Sequence, residues 1–223
     1  MKIGSGTFIN DKQTAKKLLK LMGNISDEHE LKFNYIMSSM DTPLGRTSGL
    51  YTEIHESIEA LQGAGESRLM EVVYSIAAKA QELAGDEVSI KNIEHAISSG
   101  AAYEIFERMV HAHGGRLEKG MHIPTSELVV KAEESGFIHR INARSIGTAN
   151  TMLGCGRINH RSELDHSAGI EILMPEGENV KEGDPILRAF CSDKNKINEV
   201  KNILEKSIII SSIERDSSNI IIE

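Results

Sequence analysis

The sequence predicts an α/β fold in two unequal units: a helix-rich first unit over residues 1–115 and a small α+β module over 126–223, joined by a linker at 116–125. Three observations lead there. Apolar residues recur every three or four positions through most of the first 115 residues, whereas short apolar runs and alternation take over after Ser126. Glycines at 63, 65, 85, 114 and 115 cut the first part into pieces of helix length. With 39% hydrophobic and 26% charged residues in 223, the chain can bury a real core and is not disordered over most of its length.

The elements follow in order. A glycine-rich opening, Lys2-Ile3-Gly4-Ser5-Gly6-Thr7-Phe8, leads to Asp11, an N-cap for a helix whose apolar stripe is Ala15, Leu18, Leu19 and Met22. Residues 31–40 read as a strand, with Leu31, Phe33 and Tyr35 alternating. The run Asp41-Thr42-Pro43-Leu44-Gly45 breaks it. Tyr51, Ile54, Ile58 and Leu61 mark the next helix, and Leu69, Val72, Val73, Ile76 and Ala80 another. Two further helices run over 89–99 and 100–113. In the second unit, 128–132 and 137–141 read as a hairpin around Ser135-Gly136. Residues 169–173 form a strand, 177–186 two turns around a short strand, 194–205 a helix and 208–210 a final strand.

Charge and composition exclude several functions. Twenty-five Lys and Arg against 33 Asp and Glu leave a net charge of −8, which argues against a phosphate-backbone binder, and with aromatics at 4% there is no stacking platform; no nucleic-acid partner is expected. No apolar stretch is long enough to span a bilayer and no apolar signal segment opens the chain, so the expectation is a cytoplasmic protein without a membrane partner. Cys155 and Cys191 are too few for a disulfide framework or a cysteine zinc site.

Four features could carry chemistry. The Gly4-x-Gly6 loop could cradle an anion, though it lacks the dinucleotide spacing and the P-loop lysine, and a tight turn is its plainer reading. Among nine histidines, His111 and His113 are two apart and point to different helix faces, while His160 and His166 lie in a polar loop; no H-x-x-x-H pair supports a catalytic zinc. Glu53, Glu56 and Glu59 recur every three residues after the Pro43-Leu44-Gly45 loop, which suits either a hard-cation site completed by loop carbonyls or an exposed acidic face. Cys155, between two glycines and near Arg157, reads either as an activated thiol or as a small buried turn residue.

Several strings, in order along nearly the whole chain, resemble the pyrimidine-nucleoside and thymidine phosphorylase family. Lys2 to Phe8 resembles its K-x-G-x-G-A-F. Met40-Asp41-Thr42-Pro43-Leu44-Gly45 with Gly49, Glu53 and Glu56 resembles D-M-x-x-P-L-G…G-N-x-x-E-x-x-E, with Ser39-Met40 in place of Asp-Met and Leu50-Tyr51 in place of Asn-Ala. Ser99-Gly100-Ala101-Ala102-Tyr103-Glu104-Ile105-Phe106, then Ala112-His113-Gly114-Gly115, resembles S-G-x-A-L-E-x-F…A-Q-G-G. Ile146-Gly147, Leu153-Gly154-Cys155-Gly156-Arg157, Asp165 and Ala168-Gly169-Ile170 resemble I-G…L-G-A-G-R…D…A-G-I, and 177–185 resembles G-x-x-V-x-x-G-x-P.

The resemblance implies the C-terminal part of a phosphorylase α/β domain followed by the family's small α+β C-terminal domain. It implies a reaction in which inorganic phosphate, the co-substrate, attacks the anomeric carbon of a pyrimidine nucleoside and releases free base and pentose 1-phosphate. Positioning and polarisation would do the catalysis, without a covalent intermediate. In the family the phosphate loop and the Arg, Ser and Lys that hold the base precede the K-x-G-x-G-A-F string. No catalytic or substrate-binding residue therefore carries over to this chain, which alone would be inactive. What carries over is a monovalent-cation site, such as one for potassium, with backbone oxygens from Leu44 and Thr47 and the carboxylate of Glu56. An N-terminal half chain and a homo-oligomer are the partners this implies, and a non-catalytic binding module on the same fold is the alternative.

Overall fold

The computed structural model describes residues 1–117, 120, 122–214 and 219–222. Within the linker, residues 118, 119 and 121 lie outside the described residues. The described residues fall into two compact units. The first comprises 1–40, 58–117 and the C-terminal segment from Asn219; the second comprises 41–57 and 118–218.

In the first unit, β1 (Lys2–Ile3) pairs in parallel with β2 (Ser38–Ser39). Between them runs α1 (Lys12–Glu28), started as expected by Asp11, whose carboxylate accepts the Thr14 N–H at 2.8 Å. Only two residues of the expected strand 31–40 join a ladder; 31–37 run without strand pairing. The apolar C-terminal residues close the other side of β2. Ser39 N–H donates to the Ile220 carbonyl at 2.8 Å, Ile222 N–H donates to the Met37 carbonyl at 2.7 Å, and Ile220 is buried. The helices α3 (Ser67–Ala84), α4 (Ile90–Ser98) and α5 (Ala101–Ala112) complete this unit. Gly85 ends α3 in the left-handed conformation, φ 86°, which costs a glycine little. The core is small: Ile3, Ala15, Leu19 and Met37, with Met1, Ile9 and Phe33 against it. Two apolar cavities, about 530 and 500 Å³, lie on either side of Tyr35 and Ile36, both lined by α3.

The second unit is built on an antiparallel four-stranded sheet, ordered β3 (Thr47–Gly49), β6 (Gly169–Ile172), β8 (Pro185–Cys191) and β4 (Ser126–Lys131). A second sheet has β5 (Gly136–Ile141) between β7 (Asn179–Val180) and β9 (Ile208–Ser211). Consecutive strands β4 and β5 therefore do not form the hairpin read from the sequence. β4 pairs with β8, and β5 pairs with β7 and β9. The Ser135-Gly136 turn passes the chain from one sheet to the other, because the core faces of both sheets must meet over one hydrophobic interior. Helices α6 (Ala143–Asn150) and α7 (Lys194–Glu205) fill that interior with Ile146, Ile197, Val200 and Leu204, alongside Ile138, Ile141, Leu153, Ile170 and Leu187. The helix read at 194–205 is found at those residues. Residues 41–57, which precede the linker, supply β3 and most of α2 (Tyr51–Glu59). Among the described residues no helix is long and apolar enough to cross a membrane.

Candidate functional site

The loop 42–46 and the strand β3 behind it lie against α2 in the second unit. Its anchors are specific. The Asp41 carbonyl accepts the Ala143 N–H at 2.9 Å, and Arg140 reaches the Asp41 carboxylate at 3.6 Å. Thr42 donates its hydroxyl to Glu176, which also takes the Ile141 N–H at 2.9 Å. These contacts tie the loop to β5 and to the start of α6.

Glu56, one turn before the end of α2, turns its carboxylate onto that loop. One oxygen accepts the Arg46 N–H at 2.5 Å, and the other accepts the Thr47 hydroxyl at 3.0 Å. Gly45 makes this approach feasible, since a Cβ there would collide with the Glu56 carboxylate. Thr47 lies on β3, at the edge of the sheet. The Arg46 carbonyl accepts the Ile172 N–H at 2.7 Å, so the alternation of an antiparallel ladder turns the Thr47 carbonyl away from β6. The structure thus brings Thr47 and Glu56 together, with Leu44 immediately before the Gly45 cradle. A carboxylate beside outward-facing backbone oxygen is a hard-donor set, which suits an alkali or alkaline-earth cation rather than a transition metal.

The three glutamates do not converge. Glu53 accepts the Gly49 N–H at 3.0 Å and so serves the start of α2, Glu56 serves the loop, and Glu59 belongs to the first unit. Among the described residues no group of three or more His, Cys, Asp or Glu is placed to hold a metal. The Gly4-x-Gly6 loop is a turn: Gly4 N–H donates to Ile9, Gly6 N–H to Met40 and Thr7 N–H to Gly4 carbonyls, all within 3.0 Å. Those amides are spent on the chain itself and leave no anion cradle. His111, His113, His160 and His166 are all exposed.

Cys155 is buried in a wide turn at Thr151–Cys155, where Gly154 takes φ 112°. Burial pushes its thiol up to about 12, against a smaller opposing effect from the Leu50 amide. A thiol so hard to ionise is a packing residue, not a nucleophile. Asp165 has a fixing role that only the structure reveals. Burial works to raise its carboxyl, but the hydroxyl and amide donors of Ser167 and Ser192, at 2.6–2.9 Å, outweigh it and hold the group at about 2. One carboxylate thereby fastens the end of β8 to the loop before β6.

Comparison with known proteins follows the same residues. Residues 137–211 match the pyrimidine nucleoside phosphorylase C-terminal domain. Thymidine phosphorylase of Mycobacterium tuberculosis is 32% identical over 192 residues, covering 86% of this chain and 44% of that protein. Pyrimidine-nucleoside phosphorylase of Staphylococcus aureus is 30% identical over 220 residues, covering 95% of this chain and 51% of that one. The chain spans about half the length of the curated relatives it matches.

Proposed function

We propose, for a chain that belongs to the pyrimidine-nucleoside phosphorylase family through its C-terminal domain, that it serves phosphorolysis of pyrimidine nucleosides as one part of a cytoplasmic salvage enzyme. In that reaction a phosphate oxygen bonds to the anomeric carbon while the carbon–nitrogen bond breaks. The base leaves with the electron pair and takes up a proton, and the pentose 1-phosphate remains. The family resemblance implies that the contacts to phosphate and base lie outside the matched part, and in this reading the chain by itself is inactive.

Its own contribution is the Leu44, Thr47 and Glu56 cation site. The single observation that carries this reading is the Glu56 carboxylate seated over Gly45 and held by Arg46 and Thr47. These residues would hold a monovalent cation such as potassium through the Leu44 and Thr47 carbonyls and one carboxylate oxygen. When bound, the cation supplies a fixed positive charge that rigidifies the loop. Gly45 leaves room for Glu56, Thr47 orients it, and Glu176 and Arg140 hold the loop against β5.

The partner in this reading is a polypeptide equivalent to the unmatched half of the relatives, within a homo-oligomeric enzyme. The test is an absorbance assay for free base from uridine or thymidine with phosphate. The chain is assayed alone and co-expressed with the unmatched segment of the Staphylococcus aureus enzyme. Turnover only by a co-purifying pair is expected. Turnover by the chain alone at ordinary enzyme rates, on the order of 1–1,000 per second, refutes the division of labour. A co-purifying pair that releases no base refutes the reaction.

A further inference from the structure

The helix α1 carries more apolar surface than its own unit uses. Ala15 and Leu19 are buried in the core of the first unit. Leu18, Leu21 and Ile25 are not: they stand 38%, 55% and 49% exposed. With about 100° of turn per residue, these three fall within an arc of about 60°. Their spacing of three and four residues makes them one continuous stripe beside the buried face, the pattern by which two helices pack along each other.

Charge decides what can lie on that stripe. Lys12, Lys16, Lys17 and Lys20 fall in the first half of α1, and Asp27 and Glu28 close it. A second α1 laid parallel sets lysine on lysine and carboxylate on carboxylate. Laid antiparallel, it sets each basic half against an acidic end. Around a two-fold axis level with Gly23, the match holds residue by residue. Leu21 of each copy lies level with Ile25 of the other, and Lys17 lies within one residue rise, about 1.5 Å, of the height of the other copy's Glu28. Lys17 and Glu28 are both exposed and border the stripe on one margin, about 20° apart around the helix. That margin meets its own counterpart when two helices pack antiparallel. The face is therefore complementary to itself, which a closed two-fold interface requires.

We propose that the Leu18, Leu21 and Ile25 stripe of α1 is an interface between two copies of this chain, packed antiparallel and held in register by Lys17 against Glu28. The aliphatic side chains supply the attraction by leaving water, and the charge pair, repeated twice by the symmetry, selects the direction. The proposal stands apart from the phosphorolysis reading, and its test reads molecular mass rather than release of base.

The experiment is analytical ultracentrifugation of the full chain over about 1–200 µM. One copy weighs 24.5 kDa, and twice that mass is expected at the top of the range. Leu21→Glu, at a position open to solvent, keeps the circular dichroism of wild type and stays at the mass of one copy. Lys17→Glu and Glu28→Lys each weaken the dimer about tenfold, because each sets like charges together twice. Mixing the two reversed chains restores the dimer, since every reversed position then meets its opposite charge. A wild-type chain that keeps the mass of one copy throughout overturns the proposal. So does a dimer that Leu21→Glu leaves intact, or reversed chains that fail to pair on mixing. A stripe that instead seats the unmatched segment of the Staphylococcus aureus enzyme, or phosphatidylserine vesicles, leaves wild type at the mass of one copy while Leu21→Glu loses that occupant, and this outcome also overturns the proposal.

Discussion

The two units differ in how much of their own apolar surface they bury. In the second, both sheets and both helices turn Ile, Leu and Val inward until residues such as Ile138, Ile141, Leu153, Ile170 and Leu187 are wholly enclosed. In the first, the clustered core is four residues, while Leu21 and Ile25 on α1, Ile76 on α3, and Ile105 and Met109 on α5 stand exposed. Its parallel ladder is only two residues long on each strand, and parallel pairs are ordinarily covered on both faces. Similar helical periodicity has therefore produced one enclosed core and one set of apolar faces that stand exposed. An amphipathic pattern specifies a face to be buried, not what buries it.

The largest expected effect belongs to the closed core. Leu187→Ala removes a fully enclosed side chain from the centre of β8 and should cost about 2–5 kcal/mol, read from denaturant unfolding. Hydrogen exchange sharpens the contrast: amides of β6, β8 and α7 should exchange at least about a hundredfold more slowly than those of α1, α3 and α5. Equal protection in both units of a monomer would erase the distinction.

Next comes the loop at Glu56. Gly45→Ala puts a methyl group where the carboxylate sits and should break its bonds to Arg46 and Thr47, costing about 1–3 kcal/mol. Any potassium-specific stabilisation should vanish with it. A variant that keeps both full stability and that response would mean the carboxylate is not seated as described.

Asp165 should matter less, and only above acid pH. Its folded carboxyl titrates at about 2 against an ordinary 3.8, so the stabilisation is fully present above pH 4 and is lost as pH falls toward 2. The gap converts to an upper bound of about 2.4 kcal/mol at 1.36 kcal/mol per pH unit. Because the group is largely open to solvent, about 1 kcal/mol is the expected value. Asp165→Asn should therefore flatten the acid limb of the stability curve between pH 4 and 2; an unchanged limb would show that the serine donors do not act through the charge. The smallest effect is expected in the first unit, where Ile76 is 57% exposed. Ile76→Ala should move stability by no more than about 0.5 kcal/mol. A larger loss would show that α3 packs better in solution than its cavities suggest.

Local signals are legible in the sequence. Asp11 caps α1 as its position before an apolar stripe implied, since the cap needs only its own carboxylate and an amide three residues on. The helix at 194–205 was legible from its period, and the turns at Gly177 and Gly183 both need φ near 89°. Residues 31–40 show the limit. Leu31, Phe33 and Tyr35 alternate as a strand would, yet among the described residues the ladder is confined to Ser38 and Ser39, with single contacts from Met1 to Ile36 and from Ile222 to Met37 beyond it. At the candidate site, the glycine and the glutamates at three-residue spacing were visible in the sequence. Spacing alone left open which glutamate meets the loop; the family resemblance named Glu56, the one whose carboxylate bonds Arg46 and Thr47.

By itself, the sequence determined helix starts and stops, glycine turns, the division of polar from apolar faces, and the order of the family's strings. These depend on interactions a few residues long. Only the tertiary structure decided the pairing of β3 with β6 across more than a hundred residues, the separation of β4 and β5 into different sheets, and the return of Ile220 to the side of β2. It also decided that Glu171 stands between Thr47 and Arg188. Side-chain period reveals which face a strand presents. Which strand lies alongside it is settled by how the enclosed faces fill a shared interior, and that choice is made by the whole chain at once.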